Sequence, residues 1–252
     1  MDALHNIRVV LVEPGTPGNI GAVARAMKTT GLRDLVLVNP GAWDTPEARW
    51  LAHGSGEVLD SCEVVDDLAT AVAPAHIVVG TTHRVGRFRE VNSKHRQAIA
   101  ALAPHAYHQR IALVFGREKD GLWRSELQHC HQLLRIPSAV SFPSLNLSHA
   151  VQLIAYEFFH ALQEARPAPA RELATALERE HLYRHLGEAL AAVEFRPYND
   201  DPSNFERTVR RVFSRILLEK RDAMVIHKIC GQIQRFAARH HPPESERSGN
   251  EV

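Results

Sequence analysis

The chain has 252 residues, a formal net charge of +1, 44% hydrophobic and 23% charged residues. That length suits one large domain, or one of ~150 residues with a smaller companion, and the composition excludes collagen-like, coiled-coil-only and wholly disordered chains. No apolar run approaches the ~18 residues of a membrane span, the first residues show no basic n-region or cleavage site, and Cys62, Cys130 and Cys230 form no C-x-x-C pair, which points to a cytoplasmic protein without a disulfide framework or zinc ribbon.

Ile7 to Val12 (IRVVLV) is a continuous apolar run rich in β-branched residues, the pattern of a parallel strand buried on both faces. A Gly/Pro-rich loop follows, and Ile20 to Thr30 reads as a helix stopped by Gly31. Leu35 to Val38, Ile77 to Val79, Ile111 to Phe115 and Leu133 to Ile136 are further strands, and Asn146 to Leu162 is a long amphipathic helix. Strands alternating with helices predict an α/β fold with a mostly parallel sheet. Ligands of such sheets bind beyond the carboxyl ends of the strands, so the loops after Val12, Val79, Phe115 and Ile136 are the places to search. Residues 1–165 form this expected domain. The Pro/Ala-rich stretch in 166–176 reads as a linker, 177–240 as a small all-α C-terminal extension broken near Pro197 to Pro202, and 241–252 as a disordered polar tail.

Charge separates the two halves. Residues 1–165 hold 15 basic and 16 acidic side chains, whereas 207–239 hold nine basic against two acidic ones. Arg207, Arg211 and Arg215 recur every four residues and share a helix face, opposite Val209, Val212, Phe213 and Ile216. The stripe suits phosphate contact with RNA or DNA as well as it suits a merely solvated face.

Several motifs fail on spacing. Gly15, Gly18 and Gly21 do not make G-x-G-x-x-G, and the second strand ends in Asn39-Pro40 with no acid for a ribose, which disfavours a nicotinamide-dependent dehydrogenase. There is no P-loop and no G-x-S-x-G elbow. His181 and His185 stand four apart, but Leu182 occupies the place where a zinc protease has Glu, so no metal site is expected.

Three segments remain at the ligand-binding edge: Gly18-Asn19-Ile20-Gly21 leading to Arg25, Phe115-Gly116-Arg117-Glu118 leading to Gly121-Leu122, and Ile136-Pro137 followed by Pro143-Ser144-Leu145-Asn146-Leu147-Ser148. Singly, each has a plain explanation: Asn19 or Ser144 as a helix cap, Glu118 as a solvated turn acid. In this order and on these loops they resemble the three motifs of the SpoU branch of the SPOUT RNA 2′-O-ribose methyltransferases, N-x-G-x-x-x-R, F-G-x-E-x-x-G-L and I-P…S-L-N-x-S. Within that branch, Ile7 to Leu32, the LVNP segment at Leu37 to Pro40 and the helical extension look like the TrmJ-type tRNA methyltransferases, which modify the ribose of nucleotide 32 in the anticodon loop.

The resemblance implies a C-terminal trefoil knot in the sheet domain, against the usual rule that chains do not thread. It also implies S-adenosylmethionine as cofactor, a homodimer, and tRNA rather than DNA or a membrane as partner. By position it assigns the cofactor to Thr81, Thr82, His83, Gly116, Ile136, Pro143, Ser144 and Leu145, although similar sequences often carry a small polar residue where Pro143 stands. It assigns the reaction to Arg25, aided by Asn19, Glu118, Ser144 and Asn146. A guanidinium is a poor base at neutral pH, so Arg25 is expected to position an RNA phosphate and lower the pKa of the 2′-hydroxyl. The motifs leave open methylation of ribosomal RNA or of another tRNA position, and a non-catalytic RNA-binding protein on the same fold.

Overall fold

The computed structural model describes residues 3–83, 91–140, 142, 144–197 and 201–240, and the chain forms two compact units, Met1–Arg171 and Glu172–Val252. Pro143 and the tail 241–252 lie outside the described residues.

The first unit alternates strands and helices. Strand β1 (Ile7–Val12) leads through the loop 13–16 into α1 (Pro17–Thr29), which starts three residues before Ile20 because Pro17, lacking an N–H, fits the first helical turn. Gly31, at φ +80, closes α1 in the left-handed conformation. There follow β2 (Asp34–Val38), α2 (Pro46–Ala52), α3 (Gly56–Asp60), β3 (Glu63–Val65), α4 (Leu68–Val72) and β4 (Ile77–Thr81). Then come β5 (Val91–Asn92), α5 (His95–Leu102), β6 (Ile111–Phe115), α6 (Arg124–Leu127), β7 (Gln132–Leu134) and α7 (Leu147–Glu164).

The seven strands form one sheet in the order β3-β2-β1-β6-β4-β7-β5, and every pairing is parallel. The residues of β1, β2, β4 and β6 are buried almost without alternation, so both faces of the sheet are covered. Ile20, Val23 and Met27 of α1 and Val151, Ile154 and Phe158 of α7 add to this core. Helix α1 meets α2 nearly backbone to backbone, since a Cβ on Gly21 would overlap the Ala48 carbonyl. Two strands are absent from the sequence reading: β3, whose Glu63 and Val64 are exposed, and β5, two residues long. Both lie at sheet edges, where burial does not impose an apolar pattern. Strand β7 ends at Leu134, two residues before the expected Ile136.

Among the described residues, the second unit holds three helices, α8 (Ala176–Ala192), α9 (Pro202–Ser214) and α10 (Lys220–His240). Thr175 and Glu178 form a reciprocal capping box at the start of α8. Ala174, Leu182, Leu218 and Ala223 make a small core, with Phe213 and Ile226 packed on it. Arg179 is fully buried; its guanidinium donates to the carbonyls of Phe213 (3.1 Å) and Ile216 (3.2 Å) and so satisfies the carboxyl end of α9. His185 and His227 face each other across α8 and α10, Nδ1 to Nδ1 at 2.7 Å, and His185 Nε2 lies 3.1 Å from Gln234 Oε1. Among the described residues, no helix is long and apolar enough to cross a membrane.

Candidate active site

Because the sheet is parallel, the carboxyl ends of its strands share one edge, and the loops leaving β4, β6 and β7 line one pocket there. Thr81, Thr82 and His83 contribute from the end of β4, Gly116 from β6, Ile136 from beyond β7, and Ser144 and Leu145 from the approach to α7. Seven of the eight positions assigned to the cofactor by resemblance therefore meet; the eighth is Pro143, which is not described. The β4 loop is pinned by Thr81 Oγ1 donating to the Val114 carbonyl (3.1 Å) and by the Thr82 N–H donating to Leu134 (3.0 Å). Gly116 has a local reason: a Cβ there would overlap the backbone of Gly121 and Leu122, where the turn folds back. Gly121 closes that turn at φ +67, its N–H donating to the Arg117 carbonyl at 2.9 Å.

Four side chains from the three motifs form one hydrogen-bonded chain. The Glu118 carboxylate accepts from the backbone N–H of Gly15 (3.0 Å), from that of Thr16 (3.2 Å) and from Asn19 Nδ2 (2.9 Å). Asn19 Oδ1 in turn accepts from Asn146 Nδ2 (2.9 Å), and Asn146 Oδ1 accepts from the Ser148 N–H (2.8 Å) and hydroxyl (2.7 Å). Burial would raise the Glu118 carboxyl, but the hydrogen bonds from Asn19, Gly15 and Thr16 outweigh it and hold the group below the ordinary carboxylate value. Asn19 is thus a connector in the first turn of α1 rather than its cap, which is Thr16. Asn146, not Ser144, caps α7. Ser144 is exposed and lines the pocket from the preceding loop.

Arg25 is not brought into this group. It stands exposed on α1, outside the pocket lining. Six residues separate it from Asn19, ~9 Å along the helix and ~120° around it. The structure instead adds a clamp that the sequence did not single out. Arg117 bonds Glu13 (Nε to Oε2, 2.9 Å; Nη2 to Oε1, 2.7 Å) and Glu126 (Nη1 to Oε2, 3.0 Å; Nη2 to Oε1, 2.8 Å). Burial would lower the Arg117 pKa, but the two carboxylates outweigh it and raise the value. The Glu13 carboxyl, bonded first of all by Arg117, is held below its usual range. Glu13 sits at φ +44, immediately after β1. The available signal was Arg117 itself, a cation inside the charged turn; its acids come from the end of the neighbouring strand β1 and from α6, nine residues on.

The walls supplied by Leu122, Leu134 and Leu147 are apolar, while the backbone of 116–121 and the hydroxyls of Thr81 and Ser144 add polar groups. Glu118 and Asp120 bring negative charge, and Arg117 and Lys119 bring positive charge, so the charged part of the lining is balanced. Such a pocket can hold a flat heteroaromatic group with a polar tail.

The basic stripe is only partly as expected. Arg211 is exposed on α9, Arg207 is half-buried with its guanidinium 3.7 Å from Asp201 Oδ2, and Arg215 is the residue just past the helix. Of the apolar set, Val209 and Phe213 are half-buried, whereas Val212 and Ile216 are 56% and 51% exposed. The inward face is narrower than the pattern suggested because Arg210 takes part of it, bonded to Glu180 and Glu206 and lying 4.7 Å over the Tyr183 ring.

Comparison with known proteins agrees with the geometry. The model of the SpoU rRNA Methylase family matches residues 6–156. The tRNA (cytidine/uridine-2′-O-)-methyltransferase TrmJ of Klebsiella pneumoniae subsp. pneumoniae is 38% identical over 241 residues, covering 92% of this chain and 97% of that protein. The crystal structure of TrmJ from Z. mobilis ZM4 superposes with a TM-score of 0.77 at 28% identity, over 90% of this chain and 98% of that one. The SpoU methyltransferase AviRb from Streptomyces viridochromogenes, solved in complex with the cofactor AdoMet, shares the fold at a TM-score of 0.50 and 22% identity, over 62% of this chain and 60% of its own. With its motifs joined at one sheet edge and its first 156 residues matched nearly throughout, the chain belongs to the SpoU rRNA methylase family.

Proposed function

We propose that the protein transfers a methyl group from S-adenosylmethionine to the 2′-hydroxyl of a tRNA ribose, at nucleotide 32 of the anticodon loop. The observation that carries this reading is the hydrogen-bonded chain from Ser148 through Asn146 and Asn19 to Glu118, which ties all three motif segments to the rim of one pocket. The activity of the TrmJ relatives supports tRNA as the substrate.

S-adenosylmethionine supplies a methyl group on a sulfonium that leaves as a neutral thioether. Leu122, Leu134 and Leu147 would hold its base, and the 116–121 backbone its polar groups. The 2′-hydroxyl is a poor nucleophile that needs proton removal or firm positioning. Glu118 is ill suited as the base, because its oxygens already accept three N–H groups and its pKa is depressed. Its part is to hold Asn19, and through Asn19 the start of α7. Arg25, exposed and outside the donor pocket, meets the RNA: it holds a phosphate and stabilises the developing alkoxide, whose proton passes to solvent water.

A homodimer, a cytoplasmic location and a trefoil knot belong to the same proposal. Exposed Leu153 and Tyr156 on α7 support the dimer. The placement of β7 between β4 and β5, both earlier in the chain, supports the knot. The test is incubation with labelled S-adenosylmethionine and total RNA, followed by mass-spectrometric mapping. A 2′-O-methyl group at tRNA nucleotide 32 is the expected product; label on ribosomal RNA or on another tRNA nucleotide corrects the substrate, and unlabelled RNA overturns the activity.

A further inference from the structure

We propose that Trp123 is a stacking platform for an RNA base at the rim of the pocket, beside the nucleotide whose ribose is methylated. The inference rests on the tRNA activity proposed above and adds to it a residue that reads the RNA.

Trp123 occupies the N-cap of α6, a position that favours Ser, Thr, Asp or Asn because their oxygens accept the free N–H groups of the first turn. An indole accepts nothing, and no side-chain cap bond is made. The Glu126 carboxylate partly compensates by accepting the Trp123 backbone N–H at 2.6 Å. The side chain is also 51% exposed, although a large aromatic body is ordinarily well covered. A residue that breaks the local capping preference and leaves apolar surface in water points to a functional position.

The ring is nevertheless held. The Arg117 guanidinium carbon lies 3.6 Å from its centroid, and Arg117 is bonded to Glu13 and Glu126. Glu126 therefore fixes both the backbone of Trp123 and the cation stacked on its ring. A base added to this stack would meet an ordered surface and lose little of its binding energy to ordering the protein. Arg117 is balanced by two carboxylates, so the assembly does not present a bare cation site; it offers a flat π surface. Arg117, Gly121 and Leu122 line the pocket, which places the ring beside it. Unstacked loop bases laid on aromatic side chains are the common way proteins read single-stranded RNA.

The test uses the full chain carrying W123S or W123F with unfractionated tRNA and S-adenosylmethionine. Serine is the better cap, so a purely structural role predicts W123S to be as stable as the parent with an unchanged KM for tRNA. The stacking role predicts a KM for tRNA about tenfold higher or more in W123S, unchanged affinity for S-adenosylmethionine by calorimetry, and recovery of most of the loss in W123F. An unchanged KM for tRNA in W123S, a KM in W123F as high as in W123S, or lost S-adenosylmethionine affinity in both overturns the proposal. Wild-type protein that leaves tRNA unmethylated refutes the proposed function instead, and the two failures are separable in one assay.

Discussion

Replacing Glu118 with Gln tests the chain that joins the three motifs. Oε1 of the carboxylate receives Thr16 N–H and Asn19 Nδ2, and Oε2 receives Gly15 N–H. Glutamine keeps one oxygen. If that oxygen takes the Oε1 place, the new amide group opposes the Gly15 N–H, donor against donor. All three bonds also lose their charge assistance, worth ~1.5–3 kcal/mol each against ~1 for a neutral bond. Glu118 is only half-buried, so water recovers part of this, leaving a loss of about 2 kcal/mol. For a unit of this size that is a fall of ~4–8 °C in Tm. The pH dependence sharpens the prediction. The folded carboxyl has a depressed pKa, so its contribution is present above the unfolded value and disappears as the pH falls through the folded one. Thermal melts should therefore show a parent–variant gap at pH 7 that closes toward pH 3. A gap below ~0.5 kcal/mol at pH 7, or one independent of pH, would refute the role given to this carboxylate.

Arg25→Ala should abolish methyl transfer and leave S-adenosylmethionine binding nearly intact by calorimetry; lost cofactor binding would move Arg25 into the donor pocket. Gly116→Ala forces a Cβ into the backbone of Gly121 and Leu122, so cofactor affinity should fall at least ~10-fold, and unaltered titration would show that the turn gives way freely. Replacing Arg207, Arg211 and Arg215 with Ala should weaken tRNA binding and flatten its salt dependence, as read by filter binding across salt concentrations. His227 is held below the ordinary histidine value, by burial first and then by the charges of His185 and His181. The unfolded chain thus takes up more protons in acid, and the helical unit should lose stability as the pH drops below ~6.5. His227→Gln should flatten that profile in hydrogen exchange of α8 and α10.

The central strands were legible because a parallel sheet covered on both faces demands continuous apolar runs: Ile7 to Val12 and Ile111 to Phe115 match β1 and β6 residue for residue. Strands β3 and β5 carry no such demand at the edges, and the five- to eight-residue helices α2 to α5 are too short for periodicity to show. The pocket was legible by resemblance at Thr81, Thr82, His83, Gly116, Ile136, Ser144 and Leu145. What the pattern could not reveal is how neighbours share donors. Of Ser144 and Asn146, the two small polar residues at the expected helix start, only Asn146 caps α7, and Arg210, counted as surface charge, is drawn inward by Glu180 and Tyr183 from another helix. The Arg117 clamp likewise depends on Glu13, more than a hundred residues upstream, whose proximity exists only after β1 and β6 pair.

The strand order also sets a timetable for synthesis. β1, β2 and β3 can assemble as soon as they leave the ribosome, since each neighbours the next. β4 cannot: its partners are β6 and β7, and β5 waits for β7 alone. At roughly 5–20 residues per second, the interval between Thr81 and Leu134 leaves an apolar strand with an open edge for ~3–11 s, the sort of template to which another nascent chain adds. Holdase chaperones should therefore engage the half-made polypeptide within this window and release it once residue 134 has emerged.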